Sequence, residues 1–237
     1  APGPGHGARL RRASDGAEPL PGTMTDRAEQ ARTADVVRQV VVLVGAVVAI
    51  AGAFLGSGAA GPDQTEVGDG ALSPEATLVA PASPAFSIWS VIYTGLTAWA
   101  IWQVLPSQRA RTRQRRLGWL LLASLLLNAA WIAVVQAGLL GASVPVIVLL
   151  LAVLIAMAIR LRRPPAESWW DRVLMDGTTG LYLGWVCVAT IANVAAVLTS
   201  AGYDELGLGG TAWGVIVLAV AGALAVALAL WMRNPAP

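Results

Sequence analysis

The charges in this chain are spaced so that long stretches carry none. Between Arg38 and Asp63 lie 24 uncharged residues, between Glu75 and Arg109 lie 33, and between Arg116 and Arg160 lie 43. Two further runs, Asp176 to Asp204 and Glu205 to Arg233, hold 27 each. A helix that crosses a bilayer needs about 20 mainly apolar residues. Four runs therefore hold one span each, and the run of 43 holds two, broken near Gly138, Gly141 and Pro145. This predicts an all-α membrane protein with six transmembrane helices, near 39–58, 85–105, 117–138, 143–162, 179–200 and 211–232. Inside hydrocarbon every backbone polar group must be satisfied by the chain itself, and helices do this within one segment.

Composition agrees. Of 237 residues, 56% are hydrophobic and only 13% are charged, and the mean hydropathy is +0.64. Such a chain lacks the polar side chains to cover a soluble surface, which excludes a soluble enzyme, a disordered tail protein and a nucleic-acid binder. One Cys (Cys187) and one His (His6) leave no intrachain disulfide and no His/Cys metal site.

All 16 basic residues are Arg, and their placement sets the topology. Arg9, Arg11, Arg12, Arg27, Arg32 and Arg38 precede the first span. Arg109, Arg111, Arg113, Arg115 and Arg116 fill the loop after the second, and Arg160, Arg162, Arg163 and Arg172 the loop after the fourth. Arg233 follows the sixth, and the intervening loops have none. Six spans put every Arg on one side, which the positive-inside rule makes cytoplasmic, with both termini there and the chain in the inner or plasma membrane. This topology accounts for the pI of 9.2 without a nucleic-acid partner; anionic lipid is the expected contact of the Arg loops.

Residues 1–36 are polar and rich in Gly, Pro and Arg, and are expected to be a disordered tail. Met24 opens a natural start, so 1–23 are set apart from the fold argument. A transmembrane domain is expected over 37–200, followed by a loop, the sixth span and a short cytoplasmic end over 201–237. Residues 59–84, rich in Pro, Gly and acids, read as a lid over a site or as a spacer.

Apart from Arg160 and Arg162 at the end of the fourth, no Asp, Glu, Lys, Arg or His falls within the six expected spans. This weighs against an ion-coupled carrier, which keeps an ionisable group at mid-membrane, and against acid–base catalysis. Neutral polar and aromatic groups remain. There are ten Trp against three Tyr and two Phe. Trp119, Trp169, Trp170, Trp213 and Trp231 lie near span ends, where Trp belongs at the membrane–water interface. Others sit deeper. Trp89 and Tyr93 are i and i+4, Asn128 and Trp131 are i and i+3, and Trp185, Ala189 and Asn193 are i, i+4 and i+8. Each set lies on one helical stripe. Two readings stand side by side: interhelical hydrogen bonds, or an apolar pocket with a few convergent polar groups for a flat hydrophobic ligand.

At these residues the chain resembles the TspO/MBR family of tryptophan-rich sensory and translocator proteins. The segments are APASPAFSIWSVIYTGLTAWAIWQ (80–103), LLLNAAWIAVV (125–135) and LYLGWVCVATIAN (181–193). The resemblance implies a five-helix bundle, here with one added helix, that binds porphyrin or haem, or a sterol-like molecule, for transport or sensing. It implies a homodimer in many members and a lid formed by 59–84; the residues themselves offer no acid, base, nucleophile or metal site, so no catalytic residue and no required cofactor are expected. Carried over residue by residue, it marks Trp89, Tyr93, Asn128, Trp131, Tyr182, Trp185, Ala189 and Asn193 as ligand-binding. The alternatives are a membrane-embedded regulatory protein whose pocket holds lipid, and an enzyme acting on a tetrapyrrole or isoprenoid. Several features depart from the family. The 59–84 region lacks Trp, Val134 and Val135 replace an aromatic pair, and Leu181 stands where a Pro precedes Tyr182. No Arg or Lys follows Tyr203, and the sixth span is extra, with Ala219, Ala223 and Ala227 as a small-residue stripe.

Overall fold

A computed structural model describes residues 24–56, 80, 82–202 and the isolated positions 215, 219 and 222. Among the described residues there are five α-helices: α1 (Met24–Gly56), α2 (Ile88–Trp102), α3 (Thr112–Gln136), α4 (Leu140–Leu161) and α5 (Thr178–Ser200). A 3₁₀ turn, Ser83–Ser87, leads into α2, and a π-helical segment, Asp171–Gly177, leads into α5. Five helical stretches are long and apolar enough to cross a membrane, in agreement with the first five expected spans. Apart from positions 215, 219 and 222, the expected sixth span lies outside the described residues, as does nearly all of the 59–84 loop.

The boundaries differ from the uncharged runs at the Arg-rich end. Residues 24–36, expected as part of a disordered tail, are helical in α1. Arg113, Arg115 and Arg116, expected in a loop, lie in the first turns of α3. The charges do not stop the helices because they find partners. Arg38 donates to Asp35 Oδ1 at 2.8 Å and to the Arg109 carbonyl at 2.8 Å. Arg115 donates through Nε to both oxygens of Asp35, at 2.9 and 3.0 Å. Arg113 reaches Asp176, and Arg116 donates to the Arg163 carbonyl at 2.8 Å, beyond the end of α4. Asp35, Arg38 and Arg113 are thereby buried, so the helices carry buried charge outside the expected spans. Gln39 and Gln103 exchange side-chain to carbonyl bonds beside this layer. These contacts place the Arg-bearing segments around α1, α3 and α4 at one end of the bundle, as the topology argument requires.

Turn chemistry explains the remaining ends. The break between α3 and α4 is at Gly138, with φ +72. There Leu139 N donates to the Val134 carbonyl and Gly138 N to the Val135 carbonyl, a Schellman closure. Gly141 and Pro145, also expected near the break, lie inside α4. At the start of the helix leading into α5, Ser168 Oγ accepts from Asp171 N at 3.1 Å, and Asp171 Oδ2 accepts from Ser168 N at 3.0 Å. This reciprocal pair is a capping box.

The helices pack in a closed ring, α1–α2–α5–α4–α3 and back to α1. The α1–α3 seam is made by small residues: a Cβ on Gly45 would collide with Leu122 Cδ1, and one on Gly52 would lie 3.7 Å from Ala129 Cβ. Small residues are what allow helices to approach closely in lipid, where no hydrophobic effect drives them together.

Candidate ligand-binding site

Inside the ring, α2 and α5 bring their aromatic residues together. Trp89 stacks on Tyr93 with centroids 5.3 Å apart and planes 20° apart. The i, i+4 spacing read from the sequence is the cause. Trp89 also meets Tyr182 and Trp185 edge-on, each at 6.1 Å, and Phe86 meets Trp185 at 5.7 Å. Edge-to-face and offset pairs suit the ring quadrupoles and hold a rigid aromatic wall. Tyr182 and Trp185 are buried, while Trp89, Tyr93 and Phe86 are half-buried.

The polar groups form two clusters on the same interior. Asn128 Nδ2 donates to Tyr93 Oη at 2.7 Å, joining α3 to α2. Trp131 Nε1 donates to Asn193 Oδ1 at 3.1 Å, and Asn193 Nδ2 donates to Ser143 Oγ at 2.8 Å, joining α3, α5 and α4. Tyr182 Oη reaches the Ser124 carbonyl at 3.5 Å. Three buried polar atoms of this interior keep no hydrogen-bond partner among the described residues: Asn128 Oδ1, Trp185 Nε1 and Thr179 Oγ1. Unpaired buried polar atoms are rare and carry a cost, so each asks for a partner.

Of the eight residues marked in the sequence, seven enter these aromatic contacts and hydrogen bonds. Ala189 does not bond; it is half-buried and packs against the core. Phe86 and Ser143 belong to the constellation and are not among the eight. Phe86 lies within the 80–103 segment that carries the resemblance, so its signal was present. Ser143 is a lone serine near a turn, and no spacing singles it out. The interface reading of Trp119, Trp169 and Trp170 agrees with their exposure, whereas Trp99 is fully buried and donates to Gln114 Oε1 at 3.1 Å.

A family model for TSPO-like proteins matches residues 38–236, most of the chain. The chain belongs to the TSPO-like protein family. The match and the five apolar helices together make it a multi-pass membrane protein. The family match extends across the expected sixth span. No curated relative and no solved structure matches the chain.

Proposed function

We propose that this TSPO-like protein binds a flat hydrophobic ligand, a tetrapyrrole first, for transport or sensing. The observation that carries the reading is the aromatic wall of Phe86, Trp89, Tyr93, Tyr182 and Trp185, set beside the unpaired Asn128 Oδ1 and Trp185 Nε1. Ring faces stack on a planar macrocycle, and an unpaired acceptor and donor fix its orientation. The polar groups of the constellation are amide, indole, phenol and hydroxyl, which suit recognition rather than turnover, so we read the protein as a binder and not an enzyme. Haem iron would find only these neutral groups, which makes shape and stacking the basis of recognition. The Arg-rich end is placed in the cytoplasm, in an inner or plasma membrane, by the positive-inside rule. A homodimer belongs to the same reading.

A second reading has its own observation. The Trp131–Asn193–Ser143 bonds are satisfied among themselves, as they would be in a bundle held together by polar contacts whose interior holds only lipid while the protein regulates a partner.

Titration of the detergent-purified protein with protoporphyrin and haem, followed by Trp quenching and porphyrin absorbance, separates the two. Saturable micromolar binding that weakens in Trp89→Ala and Asn128→Ala supports the tetrapyrrole reading. Signal that never saturates, or that ignores both substitutions, means partition into the micelle and favours the second reading.

A further inference from the structure

A groove of about 590 Å³ runs between α1 and α3 at the Arg-rich end, sharing no residue with the aromatic wall. Its walls are Glu29, Gln30, Thr33, Ala34 and Val37 of α1 and Trp119 of α3. The α1 residues follow an i, i+1, i+4, i+5, i+8 stripe, one face of the helix. Trp119 joins them because side chains tilt toward their helix N-terminus, which brings its ring back over the start of α3.

The lining is graded. Glu29, Gln30 and Thr33 make a polar end, and Val37 and Trp119 an apolar one. Beyond Val37, the exposed valines Val40, Val44 and Val47 continue an apolar ridge along α1. Glu29 makes no ion pair among the described residues, and Trp119 is 51% exposed. Arg115 stands one turn before Trp119 on the same stripe, gives Asp35 its Nε and Nη2, and keeps a half-exposed side chain.

We propose that this groove binds a membrane phospholipid whose headgroup carries a cationic amine beside its phosphate. The ammonium sits between the Glu29 carboxylate and the face of Trp119, an ion pair reinforced by a cation–π contact. The phosphate lies toward Arg115, and the acyl chains follow the valine ridge. Charge complementarity chooses the headgroup. The lining holds one carboxylate and no Arg, so a purely anionic headgroup meets repulsion at Glu29. The exposed Arg116, Arg160 and Arg172 at the same end have the opposite preference and attract anionic lipid. The site is independent of the tetrapyrrole reading, because none of its residues belongs to the aromatic wall.

The test uses the full chain, delipidated and then exchanged against mixed phosphatidylethanolamine and phosphatidylglycerol, with retained lipid counted by native mass spectrometry. The wild type is expected to retain phosphatidylethanolamine preferentially. Glu29→Gln, an exposed change, is expected to lower that preference about fivefold, the scale of one charge contact at the membrane surface. Trp119→Ala lowers retention too, while Trp170→Ala, at another exposed Trp, leaves it unchanged. Equal retention of both lipids by the wild type, or no effect of Glu29→Gln, overturns the proposal. So does a change of oligomeric state in Glu29→Gln and Trp119→Ala with lipid retention intact, which would make the groove a contact between copies of this chain. Porphyrin titration of the same variants reads the other site and is expected to be unaltered.

Discussion

Asn128 and Tyr93 join α3 to α2 across the interior of the ring, amide to phenol, at 2.7 Å. The bond uses Asn128 Nδ2 and leaves Oδ1 buried without a partner. One side chain thus bears on both readings of the sequence: half of its amide holds two helices together, and the other half has no partner among the described residues.

The structural half has a measurable size. Tyr93→Phe strands the Asn128 donor, and Asn128→Leu strands the phenol. In membrane bundles such interhelical bonds are worth about 0.6 kcal/mol on average and up to about 1.7 kcal/mol. We expect each single change to lower unfolding stability by about 1 kcal/mol, and the double mutant to lose clearly less than the sum. Strict additivity in the cycle, followed by unfolding in detergent, would show that the two side chains do not interact.

The buried ions at the Arg-rich end have a sharper order of effects. Asp35 is bonded by both Arg38 and Arg115, and Arg38 is itself buried. Removing the carboxylate leaves a buried guanidinium without its counter-ion, a change that costs about 3–5 kcal/mol in buried pairs. Removing Arg115, whose side chain is 47% exposed, leaves Asp35 still paired with Arg38. Asp35→Ala should therefore destabilise several times more than Arg115→Ala. Thermal unfolding in a single detergent gives the order directly, and equal losses would contradict the assignment.

Glycines offer a comparison that depends on shape alone. A Cβ on Gly95 would lie 2.5 Å from Thr178 Oγ1 and 3.3 Å from Thr178 Cβ. Thr is short and stiff at χ1, so it cannot swing clear. A Cβ on Gly184, also helical, would have nothing within 4 Å among the described residues. Gly95→Ala is expected to cost about 1–3 kcal/mol through overpacking. Gly184→Ala is expected to be neutral or to stabilise by up to about 1 kcal/mol through helix propensity. Melting temperatures of the two variants against wild type decide it, and a Gly95→Ala melt at or above wild type would mean that α2 and the start of α5 are not in close contact.

The helices were legible because charge is expelled from hydrocarbon, so the uncharged runs mark the spans. Their ends at the Arg-rich side were not. An uncharged-run criterion stops at Arg38 and Arg116, yet both residues lie inside helices. Arg38 is neutralised by Asp35, three residues earlier, and Arg116 is bonded to the Arg163 carbonyl of another segment. Only the first of these partners is close enough in sequence to be read. The interior shows the same division. Helical spacing placed Trp89 on Tyr93 and put Trp131 and Asn193 on interior stripes. It could not reveal Ser143, which joins them through the closing of a ring. Nor did spacing signal the π-helical segment at Asp171–Gly177, where the chain is reset just ahead of Tyr182 and Trp185.

Asn193 separates the two uses of the interior. It accepts from Trp131 and donates to Ser143, so its amide ties three helices and both its polar atoms are engaged. Asn193→Ala strands the Trp131 indole N–H, a buried donor whose loss of partner costs about 1–3 kcal/mol. Adding Trp131→Phe removes that stranded donor and should recover part of the loss, though the smaller ring gives up some packing. If Asn193 acts as structural glue, its loss should lower the melting temperature while porphyrin affinity falls far less than in Trp89→Ala. If it contacts ligand, affinity should fall as far as in Trp89→Ala. The expectation here is the first outcome, because Asn128 Oδ1 and Trp185 Nε1 have no partner among the described residues, whereas both polar atoms of Asn193 are already bonded. Unfolding and titration of the same preparations read both quantities at once.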